Sequence, residues 1–316
     1  MIYKKRSAPL EIEGLITLGR RISKEHPIRS DMMKRLYNLQ AGYSGEKQYD
    51  RYMTEFKPAY PHAILHDICL KEDNIYFQMD SLLITPSRIV ITEVKNLAEK
   101  IIVKTKPLQF IKEMQTGERV PFRSPITELD RKVYLLRLWL SRRRIDIPIE
   151  GIVTFAYNNE LHFEEDPPVD LIFTYEIAAY LRNLILEREI LDKQTIHKLA
   201  NEIVNAHQPY DPFPLSERYS LNHAEILPGV QCPSCHLLSM RWERRRWRCL
   251  PCGQIGRNEH RSAVQEWFFI KKDTITNQEF RDFTLLDNRH TAKLLLAGIP
   301  QLKMVGKSKG SFYRIK

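Results

Sequence analysis

Apolar residues dominate several short stretches in the first two thirds of the chain. Each stretch is 6 to 10 residues long and rich in Ile, Leu and Val, which is typical of strands buried inside a sheet. The strands predicted on this basis cover residues 63–70, 75–84, 88–95, 149–157 and 169–174.

A second pattern, with helical spacing, separates and follows these strands. Apolar side chains recur three or four residues apart over 126–140, which predicts an amphipathic helix there. Further helices are predicted over 175–187 and 193–206. Residues 1–40 are predicted to be helical, with a break at 41–44 and a short helix over 45–56. Strands mixed with helices predict an α/β fold.

The two patterns and their interruptions divide the chain of 316 residues into several parts. Residues 207–230 contain four prolines and lack periodicity, so we interpret them as a linker. The predicted parts are a helical extension (1–40), an α/β domain (41–206), the linker (207–230), a segment with paired cysteines (231–260) and a C-terminal module (261–316).

The two runs around residues 75–95 predict a hairpin that carries charged residues. If it is symmetric about Pro86 and Ser87, Ile84 pairs with Ile89 and Asp80 lies opposite Glu93. Side chains alternate along a strand, so Glu93 and Lys95 share one face. Asp80, Glu93 and Lys95 are therefore expected to converge.

Charges among apolar strands are costly unless they are paired or bind a metal. Two carboxylates suit Mg²⁺, which could polarise a phosphodiester, while Lys95 orients water or stabilises the developing charge. Glu46, on the preceding helix, is a further candidate carboxylate. The alternative is a salt bridge of Lys95 with Asp80 or Glu93 at the end of a strand.

Three motifs together resemble a known family. Gly42-Tyr43-Ser44-Gly45-Glu46, then Met79-Asp80, then Glu93-Val94-Lys95-Asn96 are similar to the nuclease-related domain, NERD, of the PD-(D/E)XK nuclease superfamily. The resemblance covers roughly 40–160 and implies a restriction-endonuclease-like mixed sheet flanked by helices. It also implies that Asp80, Glu93 and Lys95 are the nuclease signature, with Glu46 as the helical carboxylate.

One motif departs from the family pattern. The family usually carries Asn-Pro-x-x-Gln before its next helix, whereas this chain has Ser124 in place of the Asn and Glu128 in place of the Gln. The extra carboxylate could alter metal affinity or remove a contact that orients Lys95.

Four of the five cysteines form two CxxC pairs, Cys232/Cys235 and Cys249/Cys252. This spacing predicts a zinc ribbon, in which four thiolates hold a structural Zn²⁺ and leave no open position for a substrate. The alternatives are disulfides or unligated thiols.

Basic residues cluster near the second cysteine pair and in the C-terminal module. The ribbon carries Arg244, Arg245, Arg246 and Trp247, and arginine beside an aromatic ring is typical of nucleic-acid contact. The alternative is a solvated basic face with tryptophan as a small core.

The last residues predict three helices and a hairpin, an order that resembles a winged helix-turn-helix. The third helix is expected over 287–297, with Asp287 as its cap. On this interpretation the DNA contacts come from the third helix and the wing, and the candidates are Asn288, Arg289, His290, Lys293, Lys307 and Lys309. A helical module for protein contact is the alternative.

Composition changes this picture little. The net charge of +10 favours a polyanionic partner. No run of apolar residues is long enough for a membrane span and no signal peptide is apparent, so we expect a cytoplasmic protein. The sequence therefore predicts a Mg²⁺-dependent nuclease acting on DNA. The alternatives are a DNA-binding protein with an inactive nuclease fold and, more weakly, an RNA-directed enzyme.

Overall fold

The computed structural model describes residues 1–184, 188–308 and 310–316. The helices within these residues are α1 (Leu10–Arg21), α2 (Arg29–Met53), α3 (Pro125–Ser141), α4 (Ile177–Asn183), α5 (Lys193–Asn205), α6 (Leu215–Arg218), α7 (Glu259–Ile270), α8 (Asn277–Thr284) and α9 (Arg289–Ala297). The strands are β1 (Ile2–Lys4), β2 (Ala63–Glu72), β3 (Ile75–Ile84), β4 (Ile89–Lys95), β5 (Lys100–Thr105), β6 (Leu108–Glu113), β7 (Arg119–Phe122), β8 (Ile149–Phe155), β9 (Leu161–Phe163), β10 (Asp170–Phe173), β11 (Met240–Glu243), β12 (Arg246–Cys249), β13 (Ile255–Gly256), β14 (Ile275–Thr276), β15 (Leu302–Val305) and β16 (Phe312–Ile315).

These elements form two compact units. Unit 1 comprises 1–8 and 38–210, and unit 2 comprises 9–37 and 211–316. Unit 1 contains a six-stranded mixed sheet in the order β1-β2-β3-β4-β8-β10. β2, β3 and β4 are antiparallel to one another, whereas β8 is parallel to both β4 and β10. The expected mixed α/β fold is confirmed.

Helices cover both faces of the six-stranded sheet. Apolar residues of α3 and α5 pack with one face in a large core that includes Ile89 and Ile91 of β4. The other face packs against α2 and α4, where Val90 and Val94 of β4 contribute. The alternation of side chains along β4 therefore points its odd-numbered residues towards α3.

The predicted register of the β3–β4 hairpin is confirmed. Ile84 pairs with Ile89, and the pairing continues to Ser81 and Thr92. The predicted strands at 63–70, 75–84 and 149–157 correspond to β2, β3 and β8, and the helix at 126–140 corresponds to α3. Of the helix predicted over 175–187, α4 is the observed part, and 185–187 lie outside the described residues.

Two predictions for the first 56 residues were wrong. Residues 2–4 form β1 rather than a helix, since Ile2 pairs in parallel with Ile64 of β2. The expected break at 41–44 is absent, because α2 continues to Met53. At Gly45 an added Cβ would lie 2.7 Å from Asn96 Cβ and 3.0 Å from Ala156 Cβ. Glycine here thus allows close approach of α2 to the ends of β4 and β8.

A second sheet in unit 1 was not predicted. It has four strands in the order β7-β6-β5-β9. Its strands carry many polar residues and are only partly buried, so they lack the continuous apolar runs that indicated the central strands.

Unit 2 is organised around helices α1 and α6–α9 and two small three-stranded sheets, β11-β12-β13 and β14-β16-β15. A buried ion pair lies inside it. The Arg21 guanidinium donates to Glu266 and to the main-chain oxygens of Leu227 and Gly229.

None of the helices in the described residues is both long enough and apolar enough to cross a membrane.

Candidate active site and metal centre

The candidate site begins where β3 and β4 separate. Their pairing ends at Ser81 and Thr92, one residue before the expected pair of Asp80 and Glu93. Here the Asp80 carboxylate accepts a hydrogen bond from the Val94 N–H at 2.8 Å. The side chain of Asp80 therefore holds the two strands together at the point where their main chains part.

Glu93 and Lys95 lie beyond this point, on the face of β4 that packs against α3. Lys95 Nζ lies 2.9 Å from Glu93 Oε1. Glu93 is almost fully buried. Burial, followed by the negative charge of Asp80, raises the pKa of Glu93. The influence of Asp80 on this pKa indicates that the two carboxylates are close enough to repel each other.

Glu128, the residue that departs from the family pattern, contacts Lys95 directly. It lies in the first turn of α3, and Lys95 Nζ donates to its Oε2 at 2.8 Å. Burial alone would lower the pKa of Lys95, but the nearby Glu93 and Glu128 outweigh it and the pKa is raised. Ser124 caps the same helix by accepting from the Thr127 N–H at 3.3 Å. Glu128 therefore provides a contact that orients Lys95.

Lys132 is a further cation in the site, and the sequence pattern did not lead us to predict it. It lies one turn after Glu128 on α3 and donates to Glu93 Oε2. Its position, three residues after Leu129 and four before Leu136, continues the apolar stripe of the helix. A lysine within the apolar stripe of a helix is a sequence signal for a buried carboxylate partner, and it could have indicated this contact.

Glu46 belongs to a neighbouring network around Arg6. The Arg6 guanidinium donates to Glu46 at 3.0 Å, to Asp50 at 3.0 Å and to the main-chain oxygen of Asp80 at 2.8 Å. Burial, together with the charge of Asp80, raises the pKa of Glu46 to about 7. Arg6 was not predicted, because it is far from these acids in sequence and reaches them only through the pairing of β1 with β2.

The charges of these two networks do not balance. The carboxylates are Glu46, Asp50, Asp80, Glu93 and Glu128, and the cationic side chains are Arg6, Lys95 and Lys132. His66 lies beside Asp50, but burial lowers its pKa to about 4, so it is neutral at pH 7. With every carboxyl ionised, the cluster would carry two excess negative charges. The raised pKa values of Glu46, at about 7, and of Glu93 mean that protons offset part of this excess, and a divalent cation would favour the fully ionised form.

The donor set suits Mg²⁺ because it consists of carboxylate oxygens. Within the described residues, however, these acids do not form a group whose ligand atoms converge within 4.8 Å, as the cysteines do. Arg6 and Lys132 lie among them and occupy carboxylate oxygens. A metal at this site would therefore share a carboxylate with one of these cations or replace an existing ion pair.

The family comparison covers the acidic residues and the two lysines of this arrangement. The model of the nuclease-related domain, NERD, matches residues 41–156. Residues 41–156, which are similar to this family, are termed the NERD domain. No curated protein matches the chain. The NERD domain contains Glu46, Asp80, Glu93 and Lys95, as well as the unpredicted Lys132, whereas Arg6 lies outside the matched residues. The nuclease-like fold implied by the resemblance is thereby confirmed.

The four paired cysteines lie together outside the NERD domain. Their sulfur atoms are all within 4.8 Å of one another, with Cys232 Sγ 3.6 Å from Cys252 Sγ and Cys235 Sγ 3.5 Å from Cys249 Sγ. Four sulfurs at about 2.3 Å from one zinc ion would be about 3.8 Å apart at the corners of a tetrahedron. These cysteines are free rather than disulfide-bonded and could hold zinc.

The arginines between the cysteine pairs occupy a tight turn. β11 and β12 pair up to Glu243 and Arg246, so Arg244 and Arg245 form a two-residue turn. Both have positive φ, 47° and 64°. Arg244, Arg245 and Arg246 are exposed, but Trp247 is fully buried, and its indole N–H donates to His260 Nδ1 at 3.2 Å. The Trp247 ring therefore has no free face for a base.

The C-terminal elements follow in the order α7, β14, α8, α9, β15, β16, which includes the three predicted helices and the hairpin. The cap of α9 is Asn288 rather than Asp287, because Asn288 accepts from the Thr291 N–H at 2.8 Å. The exposed candidates on or near α9 and in the β15–β16 turn are Asn288, Arg289, His290, Lys293 and Lys307. Lys309 lies outside the described residues.

Proposed function

We propose that this protein is a divalent-metal-dependent nuclease that hydrolyses DNA phosphodiester bonds. The observation that carries the proposal is the Glu93–Lys95 ion pair next to the hydrogen bond from the Val94 N–H to Asp80, at the point where β3 and β4 separate, inside the segment similar to NERD. The cytoplasm remains its predicted location.

In this proposal each residue of the site has a distinct task. Asp80 and Glu93 would hold the Mg²⁺ ion, and Glu46 would bind the metal or its waters. The bound ion would polarise the phosphodiester and make a coordinated water more acidic. Lys95, held by Glu93 and Glu128, directs its ammonium group to the attacking water or to the charge that develops on phosphorus.

Supercoiled plasmid DNA provides the direct test. Purified full-length protein with Mg²⁺ is expected to nick or linearise the plasmid, and addition of EDTA is expected to stop the reaction. Gel electrophoresis over time measures both. If DNA is bound but stays intact with Mg²⁺ or Mn²⁺, the nuclease proposal fails and the inactive DNA-binding protein is supported. That second candidate is favoured by one observation, since both Glu93 oxygens contact lysines.

We further propose that the zinc ribbon and the C-terminal module bind DNA. The turn at Arg244 and Arg245 supports this, because positive φ in a two-residue hairpin turn favours Asn and Gly over arginine. Arginine there costs stability, and such strain is concentrated at functional sites. The order of elements after residue 258 also agrees with a winged helix, with α9 entering the major groove and Lys307 on the wing.

Replacement of Arg244 by Asn and of Arg245 by Gly separates binding from folding. We expect the double variant to bind DNA more weakly, and the slope of log K against log salt to become shallower by about 2. The unfolding free energy of unit 2 is expected to stay equal or to rise by roughly 1 kcal/mol, because Asn-Gly suits this turn. Fluorescence anisotropy with duplex DNA at several salt concentrations measures the first effect, and thermal unfolding measures the second.

An exposed charge elsewhere in the same unit provides the control. Lys24, in the turn after α1, is exposed and lies outside both the cysteine ribbon and the C-terminal module, and Lys24→Met is expected to change the salt slope little. An unchanged slope in the double arginine variant would remove the ribbon from the DNA interface.

A further inference from the structure

Both oxygens of the Glu93 carboxylate are occupied by lysines. Lys95 contacts Oε1 and Lys132 contacts Oε2. Each oxygen has a second lone pair, but a metal ion that binds Glu93 would then lie beside one of these two ammonium groups. The lysines differ in their other partners: Lys95 also donates to Glu128, whereas the hydrogen bond described for Lys132 is the one to Glu93. Lys132 is thus the cation that is easier to displace.

The positive charge of Lys132 interacts with the carboxylates of both Asp80 and Glu93. Its side chain is only 13% exposed, and burial by itself would lower its pKa. The charges of Asp80 and then Glu93 outweigh this, so the pKa is raised and the ammonium group stays protonated at neutral pH. Lys132 is therefore paired with Glu93, and its charge also favours the ionised form of Asp80, the other carboxylate that the nuclease proposal assigns to the metal.

We propose that Lys132 is an internal counter-cation that pairs with Glu93 in the metal-free site and is displaced when a divalent ion binds. This inference rests on the proposed function, since it concerns the same site. The ammonium of Lys132 and a divalent ion on the same carboxylate would repel each other strongly in a buried environment. Metal affinity is consequently the balance between the ion's attraction to Asp80 and Glu93 and the loss of the Lys132 ion pair.

Replacement of Lys132 by Met removes the competing charge while keeping the length of the side chain. We expect Lys132→Met to bind Mn²⁺ about tenfold more tightly than the wild type at pH 8, because no ion pair has to be broken. Electron paramagnetic resonance of free Mn²⁺ during titration of the full-length protein measures the affinity, and Mg²⁺ competition extends it. Lys100→Met is the matched control, because Lys100 pairs with Glu160 at the surface of the same unit.

The outcomes separate this inference from the proposed function. If the wild type binds Mn²⁺ and Lys132→Met binds it equally or more weakly, the displacement is wrong while a metal-dependent nuclease still stands. If neither protein binds Mn²⁺, both proposals fail.

If Lys132→Met does not fold, a measurement on the wild type tests whether metal binding displaces Lys132. Reductive methylation followed by peptide mass spectrometry reports how accessible each lysine is. Without metal, buried Lys132 is expected to react slowly, and saturating Mn²⁺ is expected to accelerate its modification several-fold while Lys100 is unaffected. Continued protection of Lys132 at saturating Mn²⁺ would overturn the proposal.

Discussion

Lys95→Met is expected to reduce Mg²⁺-dependent DNA cleavage by roughly 10²- to 10³-fold, the usual cost of removing one group that stabilises developing charge in an active site. Lys95 is half-buried and held by two carboxylates, so its ammonium group has a defined position before substrate arrives. Methionine retains the apolar length of the side chain but provides no donor. The initial rate of plasmid nicking measures the effect.

Asp80→Asn is expected to cause a loss of the same order, through a different step. Its amide can still contact the main chain near Val94 but offers a metal no negative charge. The two variants are distinguished by Mn²⁺ titration, since Asp80→Asn should weaken metal binding whereas Lys95→Met should not. Lys104→Met, which removes a surface ion pair with Glu164, is the control and should cleave normally. Full activity in either active-site variant would show that this cluster does not perform the reaction.

The hairpin that carries this site could be predicted in detail because its pattern is local. Its two apolar strands and short turn determine the register, and pairing from Ile84–Ile89 to Ser81–Thr92 follows from symmetry about the turn. The face shared by Glu93 and Lys95 follows from the alternation of side chains along a strand. The convergence of the three charged residues was therefore accessible from a stretch of about 20 residues.

The counter-cations could not be predicted in the same way because they come from distant segments. Arg6 reaches Glu46 only because β1 pairs with β2, and Lys132 reaches Glu93 because α3 packs across β4 and β8. The continuity of α2 was missed for a related reason. Gly42 and Gly45 suggest a break when considered locally, but Gly45 is required where α2 approaches Asn96 and Ala156. In each case the explanation lies in tertiary packing.

Removal of the zinc-ribbon metal is expected to unfold residues 231–256 while the NERD domain stays folded. Four thiolates around one zinc provide about 10–16 kcal/mol of apparent binding free energy in small zinc-dependent folds at pH 7. The short strands β11–β13 cannot replace that energy with a core, since their buried apolar side chains other than cysteine are Met240 and Trp247. Purified protein is expected to contain one zinc per chain. Hydrogen exchange measured by mass spectrometry, before and after chelation, locates the loss of protection.

A cysteine outside the ribbon supplies the matched control for this prediction. Cys232→Ser removes one proposed ligand and should abolish stoichiometric zinc, whereas Cys69→Ala, at a buried free cysteine of β2, should retain it. The indole of Trp247 donates to His260 at the start of α7, so loss of the metal should also increase exchange at the N-terminal end of α7. Folded, zinc-free protein with protected β11 and β12 would contradict the metal assignment. The four thiols would then have to be stable without a metal at separations near 3.5 Å. The turn at Arg244 and Arg245 would be positioned by the pairing of β11 with β12 alone.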